Sequence, residues 1–223
     1  MIDNSNLELV FGQIEQMTSL KPYVSRLRDP FRILVGTVLS ARTKDETTAV
    51  VTEQLFKRIS KPQDLIAIDI SELEQLIYKT GFYKTKARYL KQLSRKLIDE
   101  YDSSVPNTID ELVKLPGVGR KTANLVVITA FGKPGICVDT HVHRIVNRWG
   151  YVKTRAPDMT ETELRKKLPK RFWEMINERL VAFGKQVCKP IRPLCDKCSL
   201  SEICPKIGVL QKSKTSLTEN PQA

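Results

Sequence analysis

Only two histidines occur in the 223 residues, His141 and His143, so a metal site built on imidazole has little to draw on. Two positions apart on one helix, they point to different faces, and zinc binding by the pair is not expected. No apolar run reaches the length of a bilayer span. The first residues, Met1 to Asn6, carry neither the basic start nor the apolar stretch of a secretory signal, so a cytoplasmic protein is expected. No spare hydrophobic repeat or zipper is present, which points to a monomer. Acidic residues are the scarcer charge, 25 against 37 basic, leaving a net +12. With no lipid anchor, that excess favours nucleic acid as the partner. The final third is the more lopsided: from Tyr151 onward 15 basic residues face 8 acidic ones.

Strand patterns are also missing. The β-branched residues fall inside stretches with helical spacing, and an all-α fold is predicted. Leu7, Val10, Phe11, Ile14 and Met17 share one helix face. Asp29-Pro30 reads as a cap followed by proline at the first helical position, opening a helix over 31–39. Thr43-x-x-Glu46 and Ser71-x-x-Glu74 fit capping boxes, the second helix running to Gly81. Further helices are expected over 86–101, from Thr108 to Pro116, and over 120–131 closed by Gly132. Asp139 to Trp149, closed by Gly150, then 161–168 and 170–183 complete about ten. The tail after Gly208 is polar and reads as disordered.

Two motifs stand out from this helical background. Leu115-Pro116-Gly117-Val118-Gly119 lies between two helices and is followed directly by Arg120-Lys121. Proline ends the first helix, and the glycines permit a tight turn or a close backbone approach. The next helix then starts with unpaired N–H groups, which bind phosphate without reading sequence. The segment resembles the helix–hairpin–helix of DNA-binding proteins; a bare Gly-x-Gly would be read as an ordinary turn. The second motif is Cys188-x6-Cys195-x2-Cys198-x5-Cys204. Clustered cysteines in a cytosolic chain indicate metal more often than disulfides. Four thiolates on a compact loop suit a [4Fe–4S] cluster, and zinc stays open as the other occupant. Lys189 and Arg192 lie between the first two cysteines and are candidate phosphate contacts. Cys137, between Ile136 and Val138, reads as a buried hydrophobe.

Together, the hairpin, the stretch Val138-Asp139-Thr140-His141-Val142-His143-Arg144 and the four cysteines resemble, in order and spacing, the endonuclease III family of DNA glycosylases. The likeness runs from about Leu7 to Lys206. It implies two helical domains around a DNA cleft. One is a six-helix barrel over residues 22–133, with the helix–hairpin–helix at about 109–125. The other joins residues 1–21 to 134–206 and carries the cluster. It further implies a chromosome-associated prokaryotic enzyme that removes oxidised pyrimidines from double-stranded DNA and cuts at abasic sites.

In that resemblance Lys121 holds the place of the nucleophile and Asp139 that of the catalytic carboxylate. A lysine must be neutral to attack a sugar carbon; the adjacent Arg120 and the positive helix end both disfavour the ammonium form. Asp139 also stands where a helix cap belongs, and the two roles are compatible. Flipping a base out leaves a gap to fill. Residues 40–45 match the family segment that fills it, with Arg42 where bacterial members typically have glutamine. Phe82 matches a second loop, usually leucine there, and is either a wedge between bases or a core aromatic at a helix end. Adenine-mismatch relatives lack the lysine and carry a further domain, and thymine- or uracil-mismatch relatives typically have tyrosine at its position. A non-catalytic iron–sulfur DNA-binding protein would account for the charge, the hairpin and the cysteines, but not for Lys121 and Asp139 together.

Overall fold

The computed structural model describes residues 1–19 and 29–209. The polar tail from residue 210 and the expected domain boundary at residue 22 lie outside the described residues. Eleven α-helices and no strands occur among the described residues. They are α1 (Leu7–Met17), α2 (Pro30–Ser40), α3 (Asp45–Leu55), α4 (Pro62–Ala67), α5 (Ile70–Ile77), α6 (Tyr83–Tyr101), α7 (Ile109–Leu112), α8 (Arg120–Phe131), α9 (Thr140–Arg148), α10 (Pro157–Lys167) and α11 (Met175–Gln186).

Where the local signals are strong, the helices begin and end as the sequence predicts. Asp29 accepts from the N–H groups of Phe31 and Arg32, with Pro30 at the first helical position of α2. Thr108 caps α7 through the N–H of Glu111, but the helix closes at Leu112, short of the expected Pro116, in tight turns. Gly132, at φ 60°, closes α8. Two predicted capping boxes are wrong. Asp69, not Ser71, caps α5: its carboxylate accepts from the Ser71 N–H at 2.8 Å and also holds the Ser71 hydroxyl. Lys44 occupies the cap position of α3 with no side-chain cap, and the Thr43 hydroxyl turns elsewhere. Helix α5 stops at Ile77 rather than Gly81, because Thr80 bends back and donates its hydroxyl to the Ile77 carbonyl. Helix α6 starts three residues before the predicted position, and α10 starts at Pro157 rather than 161. The helix expected over 170–183 is interrupted. A 3-10 turn at Lys170–Phe172 precedes α11, with the Trp173 indole donating to the Leu168 carbonyl and Phe172 stacked on Phe11.

Side chains collect into two apolar cores. One is built from α2 to α8, with Leu34, Leu39, Leu55, Leu90 and Leu97 fully buried. The other unites α1 with α9, α10 and α11. The first and last helices are neighbours: α1 packs on α11, and the Phe11 and Phe172 rings stack with centroids 5.1 Å apart. Helices α9 and α11 approach closely at Gly184, where a Cβ would sit 2.4 Å from the His141 ring.

Candidate active site and nucleic-acid interface

The hairpin between α7 and α8 is anchored by its apolar residues and opens through its glycines. Leu115 and Val118 are buried in the α2–α8 core, and the Val118 N–H donates to the Leu115 carbonyl. Gly117 and Gly119 are exposed, with Pro116 half-buried beside them. Gly117 sits at φ 78°, and a Cβ there would lie 2.8 Å from the Tyr89 ring. Both conformation and space therefore require glycine. No side chain caps the N-terminus of α8. A ligand at this hairpin would meet backbone and helix end rather than Leu115 or Val118.

Lys121, in the first turn of α8, extends toward the N-terminus of α9. Its Nζ lies 3.9 Å from Asp139 Oδ2, with the lysine side chain 53% exposed and the carboxylate only 14%. Asp139 is the cap of α9: its Oδ1 accepts from the N–H groups of His141 at 2.8 Å and Val142 at 2.9 Å. One carboxylate oxygen is thus tied to the helix and the other faces the amine. Cys137 is buried beneath, its thiol facing the Lys121 carbonyl at 3.9 Å and pushed up to about 12 by burial.

Arg120 is engaged elsewhere. Its Nε donates to Glu161 at 2.7 Å, and Glu161, on α10, is 2% exposed. Arg165 grips the other oxygen of the same carboxylate and donates to Asn124 Oδ1 at 2.7 Å. Asn124 also accepts from the Ile136 N–H and donates to the Arg120 carbonyl. This buried network joins α8 of one core to α10 of the other beside the lysine–aspartate pair. No sequence motif announced it; an i, i+4 pairing of Glu161 with Arg165 was its only local trace.

Neither imidazole hydrogen-bonds to that pair. His143 Nδ1 bonds the Thr160 hydroxyl at 2.6 Å, and His141 Nδ1 meets Arg144 Nη2 at 3.2 Å. Burial lowers the pKa of both.

Arg42 and Phe82, far apart in sequence, come together. The Arg42 guanidinium lies 5.3 Å from the centre of the Phe82 ring. Both residues have left-handed backbones, φ 53° and 59°, which non-glycine residues rarely adopt. Phe82 is 62% exposed, so it is not a core aromatic.

The four cysteines line one recess between the end of α9, the end of α11 and the chain that follows. None is in a disulfide. Among the described residues, no three or more His, Cys, Asp or Glu side chains converge on a single ion-sized point. Arg148, buried in α9, organises the rim: it donates to Cys188 Sγ at 3.3 Å and to the carbonyls of Lys189 and Pro190. Lys189 and Arg192 are exposed on the same loop, Arg192 at φ 54°.

This arrangement has known counterparts. Residues 35–170 match the HhH-GPD superfamily base excision DNA repair protein. Endonuclease III of Thermotoga maritima is 49% identical over 176 residues, spanning 79% of this chain and 83% of its own length. The chain belongs to the endonuclease III family. Endonuclease III of Bacillus subtilis is 42% identical over 177 residues, covering 79% of this chain and 81% of the relative. A solved structure of endonuclease III trapped as a covalent intermediate on DNA superposes with a TM-score of 0.81 at 39% identity. It covers 92% of this chain and 97% of that one. The protein is accordingly a DNA glycosylase and abasic-site lyase of base excision repair. The HhH-GPD match includes the hairpin, Lys121, Asp139, Arg42 and Phe82; the cysteines lie beyond it.

Proposed function

We propose that this enzyme removes oxidised pyrimidines from double-stranded DNA, with Lys121 as nucleophile and Asp139 as its carboxylate partner. The observation that carries the reading is the 3.9 Å approach of Lys121 Nζ to Asp139 Oδ2, at the facing N-termini of α8 and α9. The two helix ends and the amine make a locally positive mouth for a phosphate-rich ligand. The neutral amine attacks C1′ of a flipped-out nucleotide; the N-glycosidic bond breaks and the base leaves, taking up a proton. The sugar ring opens to a Schiff base on Lys121. Loss of the C2′ proton expels the 3′ phosphate, and water then frees the lysine. Asp139, held in place by its two backbone donors, stabilises positive charge growing on the sugar and accepts the proton shed by Lys121.

The duplex lies across both cores, read here as domains 22–133 and 1–21 with 134–206. Gly117, Gly119 and the end of α8 hold phosphate on one side, and Lys189 and Arg192 do so on the other. Arg42 and Phe82, stacked and exposed, fill the space left by the extruded nucleotide. Cys188, Cys195, Cys198 and Cys204 hold a [4Fe–4S] cluster. Four sulfurs ringed about a recess suit a multi-atom cube better than a single zinc ion. Holding the cluster, the four cysteines would tie down the loop that bears Lys189 and Arg192. We place the enzyme in the cytoplasm of a prokaryotic cell, with the chromosome it repairs.

Borohydride trapping on a duplex containing thymine glycol tests the reading. Wild type should give a covalent protein–DNA band, and Lys121→Ala none. No band from cluster-replete wild type, on this lesion or on an abasic site, would leave a monofunctional enzyme or a binding protein.

A further inference from the structure

Lys86, in the first turn of α6, is only 5% exposed, yet no acidic side chain pairs with it among the described residues. A buried cation among neutral groups costs stability unless its hydrogen bonds are well made. Its Nζ donates to the Leu39 carbonyl at 2.7 Å and to the Thr43 hydroxyl at 2.8 Å. Leu39 lies in the last turn of α2, whose negative end offsets part of that cost. Thr43 Oγ1 also accepts from the Gly81 N–H at 3.1 Å. The backbone N–H of Lys86 meanwhile donates to the Phe82 carbonyl at 3.0 Å. One residue therefore grips the loop after α2 with its side chain and the loop before α6 with its backbone. The two loops touch so closely that a Cβ on Gly81 would lie 2.6 Å from the Arg42 carbonyl oxygen.

We propose that Lys86 is a positioning residue for DNA repair: acting through Thr43, it locks the loops carrying Arg42 and Phe82 into one rigid wedge. Both tips have left-handed backbones that the free chain would abandon. The clamp holds them, so the stacked side chains meet DNA already in place rather than being ordered by it. An apolar residue at 86 would leave the Leu39 carbonyl without the lysine donor and the Thr43 hydroxyl with only the Gly81 N–H, so the bridge between the two loops would be lost. The inference rests on the reading that Arg42 and Phe82 enter the duplex.

The experiment uses the cluster-replete enzyme on a thymine glycol duplex with 2-aminopurine beside the lesion. Lys86→Met and Thr43→Val should each slow single-turnover base release, by about tenfold to a hundredfold for a displaced contact. They should also reduce the fluorescence rise that reports unstacking, while affinity for undamaged duplex stays as in wild type. Thr43→Ser, which keeps the hydroxyl, should restore both. In an enzyme already lacking the wedge (Arg42→Ala with Phe82→Ala), Lys86→Met should slow release no further. A simple structural defect would add its full effect in that background, and that result overturns the proposal. So does normal release by Lys86→Met and Thr43→Val when the double alanine variant is slow. If the double variant itself releases base normally, the wedge reading falls instead. Should Lys86→Met fail to fold, the Thr43→Val and Thr43→Ser pair decides.

Discussion

Asp139 serves two masters at the scale of one residue, and conservative substitution separates them. Asparagine can still accept from the His141 and Val142 N–H groups, so Asp139→Asn should keep the cap of α9 and nearly all stability. Base release should nonetheless fall steeply, with little change in DNA affinity, because the charge beside Lys121 is gone. Asp139→Ala loses the cap as well, at a cost of about 1 kcal/mol in denaturant unfolding. Equal losses of affinity and release in Asp139→Asn would assign the residue to structure alone. Lys86 carries a different signature. Burial, with no charged neighbour contributing, pulls its ammonium down to about 8. Between that value and the ordinary lysine range the unfolded chain holds the extra proton, so stability rises with pH across this window. It does so by at most about 1.4 kcal/mol per pH unit. Melting temperatures of wild type and Lys86→Met, compared at pH 7.5 and pH 10, should shift in favour of wild type at the higher pH. A constant difference would mean that the lysine does not titrate in that window in the folded protein.

At the scale of elements, the hairpin makes the sharpest demand on the sequence. Gly117→Ala must bear both a left-handed backbone and the Tyr89 ring, a combination expected to cost about 1–2 kcal/mol from the backbone alone. Binding to any duplex, measured by anisotropy, should weaken irrespective of sequence. Trimming Tyr89 to alanine alongside should recover only the part of the loss that is steric. The sequence disclosed this hairpin because proline and paired glycines have few other uses at a helix junction. It disclosed α8 and α9 equally well, since glycine and aspartate mark their ends. The caps at Thr43 and Ser71 were misread for a physical reason. A serine or threonine followed three residues later by glutamate fits a capping box, but it does not say what else the hydroxyl can reach. Thr43 is taken by Lys86 and Gly81, and Ser71 by Asp69. The meeting of Arg42 with Phe82 was similarly out of reach of spacing arguments, because forty residues separate them.

For the whole molecule, Glu161 is where the two cores are joined by charge. Neither its burial nor the arginine from α8 could be foreseen from the i, i+4 spacing to Arg165. Glu161→Gln removes the carboxylate shared by Arg120 and Arg165 and leaves both cations facing a neutral amide. Breaking a buried pair from one side typically costs about 3–5 kcal/mol. A loss of that order in global stability is expected, together with weaker base release, since α8 and α9 present Lys121 and Asp139 from opposite sides of that joint. A variant as stable as wild type would show that apolar packing alone aligns the cores. Lys189 and Arg192 make the complementary case. Replacing both with alanine should flatten the dependence of log affinity on log salt by at most about 2, with no preference among sequences. Finally, the pairing of α1 with α11 sets a timetable for synthesis. The core of α2 to α8 can close while the ribosome is still adding the C-terminal helices, but α1 must wait for α11 to emerge. Its apolar face, bearing Phe11, stays uncovered through that interval, and there a nascent chain of this protein would most need a chaperone.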